Sequence, residues 1–382
     1  MSLFINKYVS KHSDYILSAV LILFFGLEFY SKICEVYFDF YPSQLSQILK
    51  GIVFFTFIFL LFFTKDFKVL TILSLLIVSF CIGQFYLENS FSKDSVKAFF
   101  RYLFPILLFI FYNSFRKPKK NSLFLKLFET LILLNSILII LGFLFSIKLF
   151  ETYSFSRFGY NGIIYASASS SYLYLIGLFY FLVKQQKQEV LNLKLILVLI
   201  SCCLIGTKSI YITLVLLLFY FVFRIKSKFK ILILLFLVVF SFFSAYFFIF
   251  NSETFSKITA KNGLLSAVLS YRNEIFSKNM LPFIQNEWCL ENYFFGGFPN
   301  LDLRSEMGFV DLYFMFGTIG FILYLWLYIK LYFTFKLGLL TWFFMFILIF
   351  MIFISGNFFL YSITSLFLIA YKENVLYPVV NN

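Results

Sequence analysis

Apolar runs long enough to cross a bilayer recur along the chain, at about residues 15–31, 45–63, 68–86, 96–114, 123–147, 161–183, 191–206, 208–223, 230–250, 308–329, 337–354 and 356–371. They predict about twelve transmembrane helices joined by short connections. The runs at 191–206 and 208–223 are short, so one kinked or re-entrant segment is the alternative there. The pattern breaks once, between about Asn251 and Met307, where charged residues, Asn, Gly and Pro crowd together. A connection that long inside a compact protein is usually a functional device. Within it Leu264, Leu265, Val268, Leu269, Ile275 and Phe276 recur at near-helical spacing around Arg272, predicting a short amphipathic helix on the membrane surface. Pro282, Gly296, Gly297 and Pro299 then predict a turn-rich stretch. The chain thus divides into nine spans over 1–250, a long loop over 251–307, and three spans with the C-terminus over 308–382.

Composition agrees with that reading. Hydrophobic residues make up 62% of 382 positions and the mean hydropathy is +0.92, well above a soluble domain. The expected class is an all-α integral membrane protein, its only partner by composition the lipid membrane. A formal charge of +14 would suggest nucleic acid in a soluble chain, but membrane proteins concentrate Lys and Arg in their cytoplasmic loops. No nucleic acid is expected. Placing the N-terminus inside puts the basic connections around Lys65, Arg116 to Lys120, Lys184 to Lys194 and Arg224 to Lys230 in the cytoplasm, and most acidic residues outside. Both termini are then cytoplasmic and the long loop faces out. The first apolar run follows Lys7 and Lys11 without a small-residue cleavage site, so it is read as a retained span. Five cysteines without a C-x-x-C pair, and a single His12, give no metal signature.

Several short patterns cluster around the long loop. Arg272 is followed by the pair Gly296 and Gly297, then Glu306 and Phe309, then a span opening Gly317-x-x-Gly320. Upstream, Arg157-Phe-Gly-Tyr-Asn-Gly162 leads into the small polar stretch Ala166 to Ser171, and Gly206-Thr-Lys-Ser209 separates two runs. In this order the patterns resemble the O-antigen polymerase and ligase superfamily, over roughly residues 155–325; the first five spans are similar only in hydrophobicity. Lys208 stands where that family usually has Arg. Ligases of the superfamily carry a His about eleven residues before the first Gly of the G-x-x-G, where this chain has Glu306. The resemblance therefore points to the O-antigen and capsular polysaccharide polymerase branch. It implies a GT-C-like glycosyltransferase architecture on the bacterial cytoplasmic membrane, working on its outer face. It also implies transfer between polyprenyl-pyrophosphate-linked oligosaccharides, release of polyprenyl pyrophosphate, no cofactor, and a chain-length regulator and flippase of the same pathway as partners.

Chemistry asks for residues of matching type. A leaving pyrophosphate needs cations to offset its growing charge, and Arg supplies bidentate donors. The outer-face candidates are Arg157, Lys208, Arg272, Arg304 and the pair Lys97 and Arg101, which an i,i+4 spacing puts on one helix face. The plainer reading of each is a cation reaching toward headgroups. An acceptor hydroxyl needs a carboxylate base, for which Glu306 and Asp311 are placed at the junction of loop and span. Their plainer readings are helix N-terminal carboxylates or partners of Arg304. Glu28 and Asn135 are expected at helix contacts. Tyr271, Trp288, Tyr293 and Phe294 suit either sugar stacking or an interfacial aromatic belt. A flippase for lipid-linked sugars, from another functional class, needs a polar cavity open to both faces, and charges within these spans are scarce.

Overall fold

The computed structural model describes the chain apart from residues 1, 39–42, 65, 89, 117–121, 154–156, 187–191, 225, 227–228, 240–252, 336–337 and 377–382. Of the charged positions used above, Lys65, Lys117, Lys119, Lys120, Lys187, Glu189 and Lys228 lie outside the described residues, as does the second half of the run at 230–250. Among the described residues there are helices and no strand beyond one isolated bridge, Glu151 with Tyr160. Among the described residues, the helices before the long loop are α1 (Ser2–Phe38), α2 (Ser43–Leu61), α3 (Phe67–Phe85), α4 (Lys93–Phe115), α5 (Leu123–Phe145), α6 (Ser167–Gln185), α7 (Leu193–Leu204), α8 (Lys208–Arg224) and α9 (Lys230–Val239). Five helical stretches, in α1, α3, α4, α5 and Gly308–Tyr332, are long and apolar enough to cross a membrane. The runs at 191–206 and 208–223 fold as two helices of 12 and 17 residues with a break at 205–207. Residues 161–166, expected in a span, stay non-helical.

A helix that is apolar all round belongs inside, and α4 and α6 obey this: nearly every residue of α4 from Tyr102 to Tyr112, and every residue of α6 from Ser169 to Val183, is buried. The last helix of the chain, Ser362–Leu376, packs on both and is buried from Ile363 to Glu373. At the end that the charge pattern assigns to the cytoplasm, one ionic network joins four helices. Arg116 Nε and a second guanidinium nitrogen donate to the two Glu373 oxygens at 2.6 and 3.2 Å, and Asp14 lies 2.9 Å from the same guanidinium. Asp14 also accepts from the Leu123 and Phe124 amides at 2.8 and 3.1 Å, capping α5.

The long loop is mostly helical, unlike the turn-rich stretch expected. It runs through α10 (Glu253–Leu269), α11 (Arg272–Ile275), one π-helical turn (Phe276–Met280), α12 (Leu281–Glu287) and α13 (Leu290–Phe295), then enters α14 (Gly308–Tyr332). The helix expected around Arg272 is found only in part: Gly263 (φ 83) kinks α10, and the short piece after it carries Leu264, Leu265 and Val268, all exposed. It ends before Arg272, because Ser270 (φ 54) and Tyr271 (φ 65) are left-handed. After α14 come α15 (Leu339–Ile354) and α16 (Ser362–Leu376).

Glycines fix how the loop docks. Gly317 interrupts α14 with φ 62 and ψ −170, a conformation open essentially to glycine alone. At this kink the Phe314 carbonyl accepts from the Gly297 amide at 3.1 Å. A Cβ on Gly317 has no room against the backbone of Phe294 to Gly296, and a Cβ on Gly296 would stand 2.5 Å from the Met315 carbonyl oxygen. Buried Asn292 ties the junction to α3, donating to the carbonyls of Gly83 (2.8 Å) and Gly296 (2.7 Å). Trp288, expected as an exposed platform or belt residue, is buried: it stacks on Phe314 at 5.6 Å and donates to the Gly297 carbonyl at 3.1 Å.

Gly317→Ala should therefore destabilise the fold by at least about 1–3 kcal/mol from backbone strain alone, read as a lowered thermal midpoint in detergent, whereas Gly338→Ala, where a Cβ meets nothing within 4 Å, should not. Glu373→Gln, which leaves buried Arg116 with Asp14 as its remaining carboxylate, should cost about 1–3 kcal/mol in the same measurement.

Candidate functional site

Between α1, α2 and α4 lies a cavity of about 550 Å³, closed on another side by Arg304 and by residues 357–363. Five cations line it, Lys50, Lys93, Lys97, Arg101 and Arg304, against one carboxylate, Glu28. The helical repeat explains half of this: Lys93, Lys97 and Arg101 are spaced i, i+4, i+8 along α4, and Phe100 and Phe104 follow on the same side. With Phe24, Phe54 and Phe55 they make an apolar wall beside the cationic one. Glu28 answers little of the charge: it is 3.7 Å from Lys50 and its other oxygen accepts from the Tyr165 amide at 3.3 Å. Like charges held together in a cleft focus a potential that an anion relieves.

Arg304 is aimed into the cavity by its own stretch of chain. Asn300 accepts from the amides of Asp302 (3.0 Å) and Leu303 (3.1 Å), which rounds Leu301–Leu303 into a 3-10 turn. Arg304 Nε then donates back to the Leu301 carbonyl at 3.0 Å, and the guanidinium donates to Asn357 Oδ1 at 2.5 Å.

Two residues further on, Glu306 sits outside the cavity lining and pairs with Arg272 at 3.8 Å. Its backbone is left-handed, φ 58, and Gly356 provides the space: a Cβ there would stand 2.7 Å from the Glu306 Cα. Asp311, in the first turn of α14 and almost fully buried, holds this bend. Its Oδ1 accepts from the Ser305 amide (2.8 Å) and the Ser305 hydroxyl (2.7 Å), and that hydroxyl accepts from the Met307 amide at 3.1 Å. Asp311 thereby sets the turn that presents Arg304 to one side and Glu306 to the other.

The remaining candidates gather around Arg272. Arg157 lies over the Tyr153 ring, 4.1 Å from its centre. Burial pushes the Tyr153 phenol up, and Arg157, a Ser167 hydrogen bond and Arg272 pull it part of the way back. The Arg157 segment is seated on the turn before α8: the Tyr160 amide donates to the Leu204 carbonyl (2.8 Å), Thr152 Oγ1 donates to the Ile205 carbonyl (3.0 Å), and Gly206 (φ 74) leaves no space for a side chain against Phe158. Lys32, buried, donates to Asn161 Oδ1 and to the Gly162 carbonyl at 2.7 Å, holding the far end of that segment. Asn135 takes its expected place at a helix contact, donating to the Tyr174 hydroxyl of α6 at 2.9 Å, and it also accepts from the Ile163 amide at 2.7 Å. Lys208 does not line the cavity; its ammonium donates to the carbonyls of Ala267 and Val268 and to Ser270 Oγ. Glu274 is a surface partner of Lys278 at 2.6 Å, and that hydrogen bond holds its carboxyl below the usual range.

The structure thus brings Lys97, Arg101 and Arg304 into one cavity, and Arg157, Lys208, Arg272 and Glu306 into a neighbouring group, with residues 304–306 between them. Sequence reading passed over Lys50, Lys93 and Asn357, and gave Glu28 a packing role only. The signal for Lys93 was its i,i+4 spacing from Lys97; Lys50 and Asn357 come from distant segments and carry no local sign. No protein-family model, no curated protein and no solved structure matches this chain.

If Asp311 serves by holding the bend, Asp311→Asn, which keeps an acceptor for Ser305, should retain activity within about tenfold, whereas Asp311→Ala should lose about 100-fold through misplacement of Arg304 and Glu306. Equal loss in both would instead mark its charge as the group that matters.

Proposed function

We propose that this chain is a polysaccharide polymerase of the membrane glycosyltransferase type. It joins polyprenyl-pyrophosphate-linked oligosaccharide repeat units on the outer face of a bacterial cytoplasmic membrane and releases polyprenyl pyrophosphate. In this reading the twelve apolar runs form a GT-C-like bundle with both termini in the cytoplasm. The observation that carries the reading is the cavity itself, five cations facing one carboxylate with a phenylalanine wall alongside. A lipid pyrophosphate is the class of molecule that needs both halves, phosphates for the Arg and Lys groups and an isoprenoid chain for the Phe rings.

The proposed reaction divides the work between the two groups. Lys97, Arg101 and Arg304, with Lys50 and Lys93, hold the donor pyrophosphate and offset the charge that builds as it leaves. Glu306, oriented by Arg272 across 3.8 Å, accepts the proton of the acceptor hydroxyl. The acceptor oxygen bonds to the anomeric carbon, the bond from that carbon to the pyrophosphate oxygen breaks, and the lipid pyrophosphate departs with the electron pair. Arg157 supports the second group through Tyr153.

Deletion of the gene should leave single repeat units on the surface glycan, where loss of a flippase leaves none and loss of a ligase strands free polymer. Arg101→Ala with Arg304→Ala should reduce elongation by about 100-fold or more at normal protein levels. Unchanged glycan chain length in an Arg272→Ala, Glu306→Ala double variant would refute the assignment.

A further inference from the structure

Lys208 is set apart from the other outer-face cations by what it touches. Its acceptors are the last carbonyls of α10, Ala267 and Val268 (3.4 Å), and the hydroxyl of Ser270 (3.1 Å). A helix end leaves such carbonyls without intrahelical donors, and a cation there is favoured by the helix dipole. Glycine commonly closes a helix by turning left-handed; here two non-glycine residues in succession, Ser270 and Tyr271, do so. Something must hold them. The Tyr271 amide donates to the Ser266 carbonyl at 2.9 Å, Asn273 Nδ2 donates to Ser266 Oγ at 2.9 Å, and Lys208 clasps the carbonyls between. The next residue is Arg272, which opens α11 and reaches Glu306.

We infer that Lys208 is a positioning residue: it fixes the left-handed turn between α10 and α11 and so aims Arg272 at Glu306, rather than serving as a phosphate ligand. This deepens the reading proposed above, and its catalytic consequence rests on that reading. Reaching these carbonyls from α8 links the break between α7 and α8 to the loop, so the Gly206–Ser209 turn acts on the site through α10.

The test uses the full chain in lipid nanodiscs, with Lys208→Met, Lys208→Arg and the milder Ser270→Ala, and has three readouts. Amide exchange over residues 266–275 should speed up by about tenfold or more in Lys208→Met and less in Ser270→Ala, while affinity for sugar-free polyprenyl pyrophosphate stays within about threefold. In elongation assays kcat should fall about 10- to 100-fold with KM nearly unchanged, Lys208→Arg should recover most of it, and Lys208→Met should add little on an Arg272→Ala background. A tenfold or greater loss of polyprenyl-pyrophosphate affinity with exchange unchanged would make Lys208 a phosphate ligand and overturn the inference, as would full additivity with Arg272→Ala. Wild-type chain that elongates no glycan overturns the polymerase reading alone, because exchange and affinity still decide the role of Lys208.

Discussion

Backbone against backbone, with no side chain between, is the contact on which the docking of the long loop depends. Gly296 and Gly317 approach each other so closely that neither position has space for a Cβ, and both adopt φ values that side-chain-bearing residues avoid. The kink at Gly317 coincides with a Phe314 carbonyl that takes its hydrogen bond from the Gly297 amide. Polar backbone away from water must be satisfied within the protein, so kink and loop complete each other. From that fixed point the chain runs only a few residues to Arg304 and Glu306. Asp311, on the same helix six residues before the kink, then shapes the bend between them.

The two ends of the molecule treat charge in opposite ways. At the end assigned to the cytoplasm, Arg116 is matched by both Glu373 oxygens and by Asp14, and Lys184 and Lys194 converge on Glu129 at 2.6 and 3.0 Å. Such pairing fixes helix ends against each other. Among the described residues that line the cavity, five are cations and Glu28 is the carboxylate. Uncompensated like charge disfavours the empty site and favours an anionic ligand, which is the usual signature of a binding surface rather than of a structural network.

Specific residues mark where sequence reading reached and where it stopped. The i,i+4 spacing of Lys97 and Arg101 foretold a shared face, and both line the cavity, because a helix repeat is local and survives any tertiary arrangement. Gly296, Gly297 and Gly317 stood out by type, and they do meet. By contrast, the amphipathic pattern through 264–276 suggested one helix carrying Arg272, yet the chain breaks at Ser270 and Tyr271. That break depends on Lys208, some sixty positions away, and no window of sequence contains both. Trp288 likewise read as an exposed aromatic, while its ring is packed on Phe314.

By itself, then, the sequence determined the all-helical, bilayer-length character of the chain, since that follows from hydropathy and composition summed over neighbours. Tertiary structure decided which cations share a cavity, that Lys50, Lys93 and Glu28 belong to it, and that Asp311 and Lys208 hold backbone in place. Those outcomes require segments far apart in the chain to meet within hydrogen-bonding distance, and only the packing of helices sets such distances.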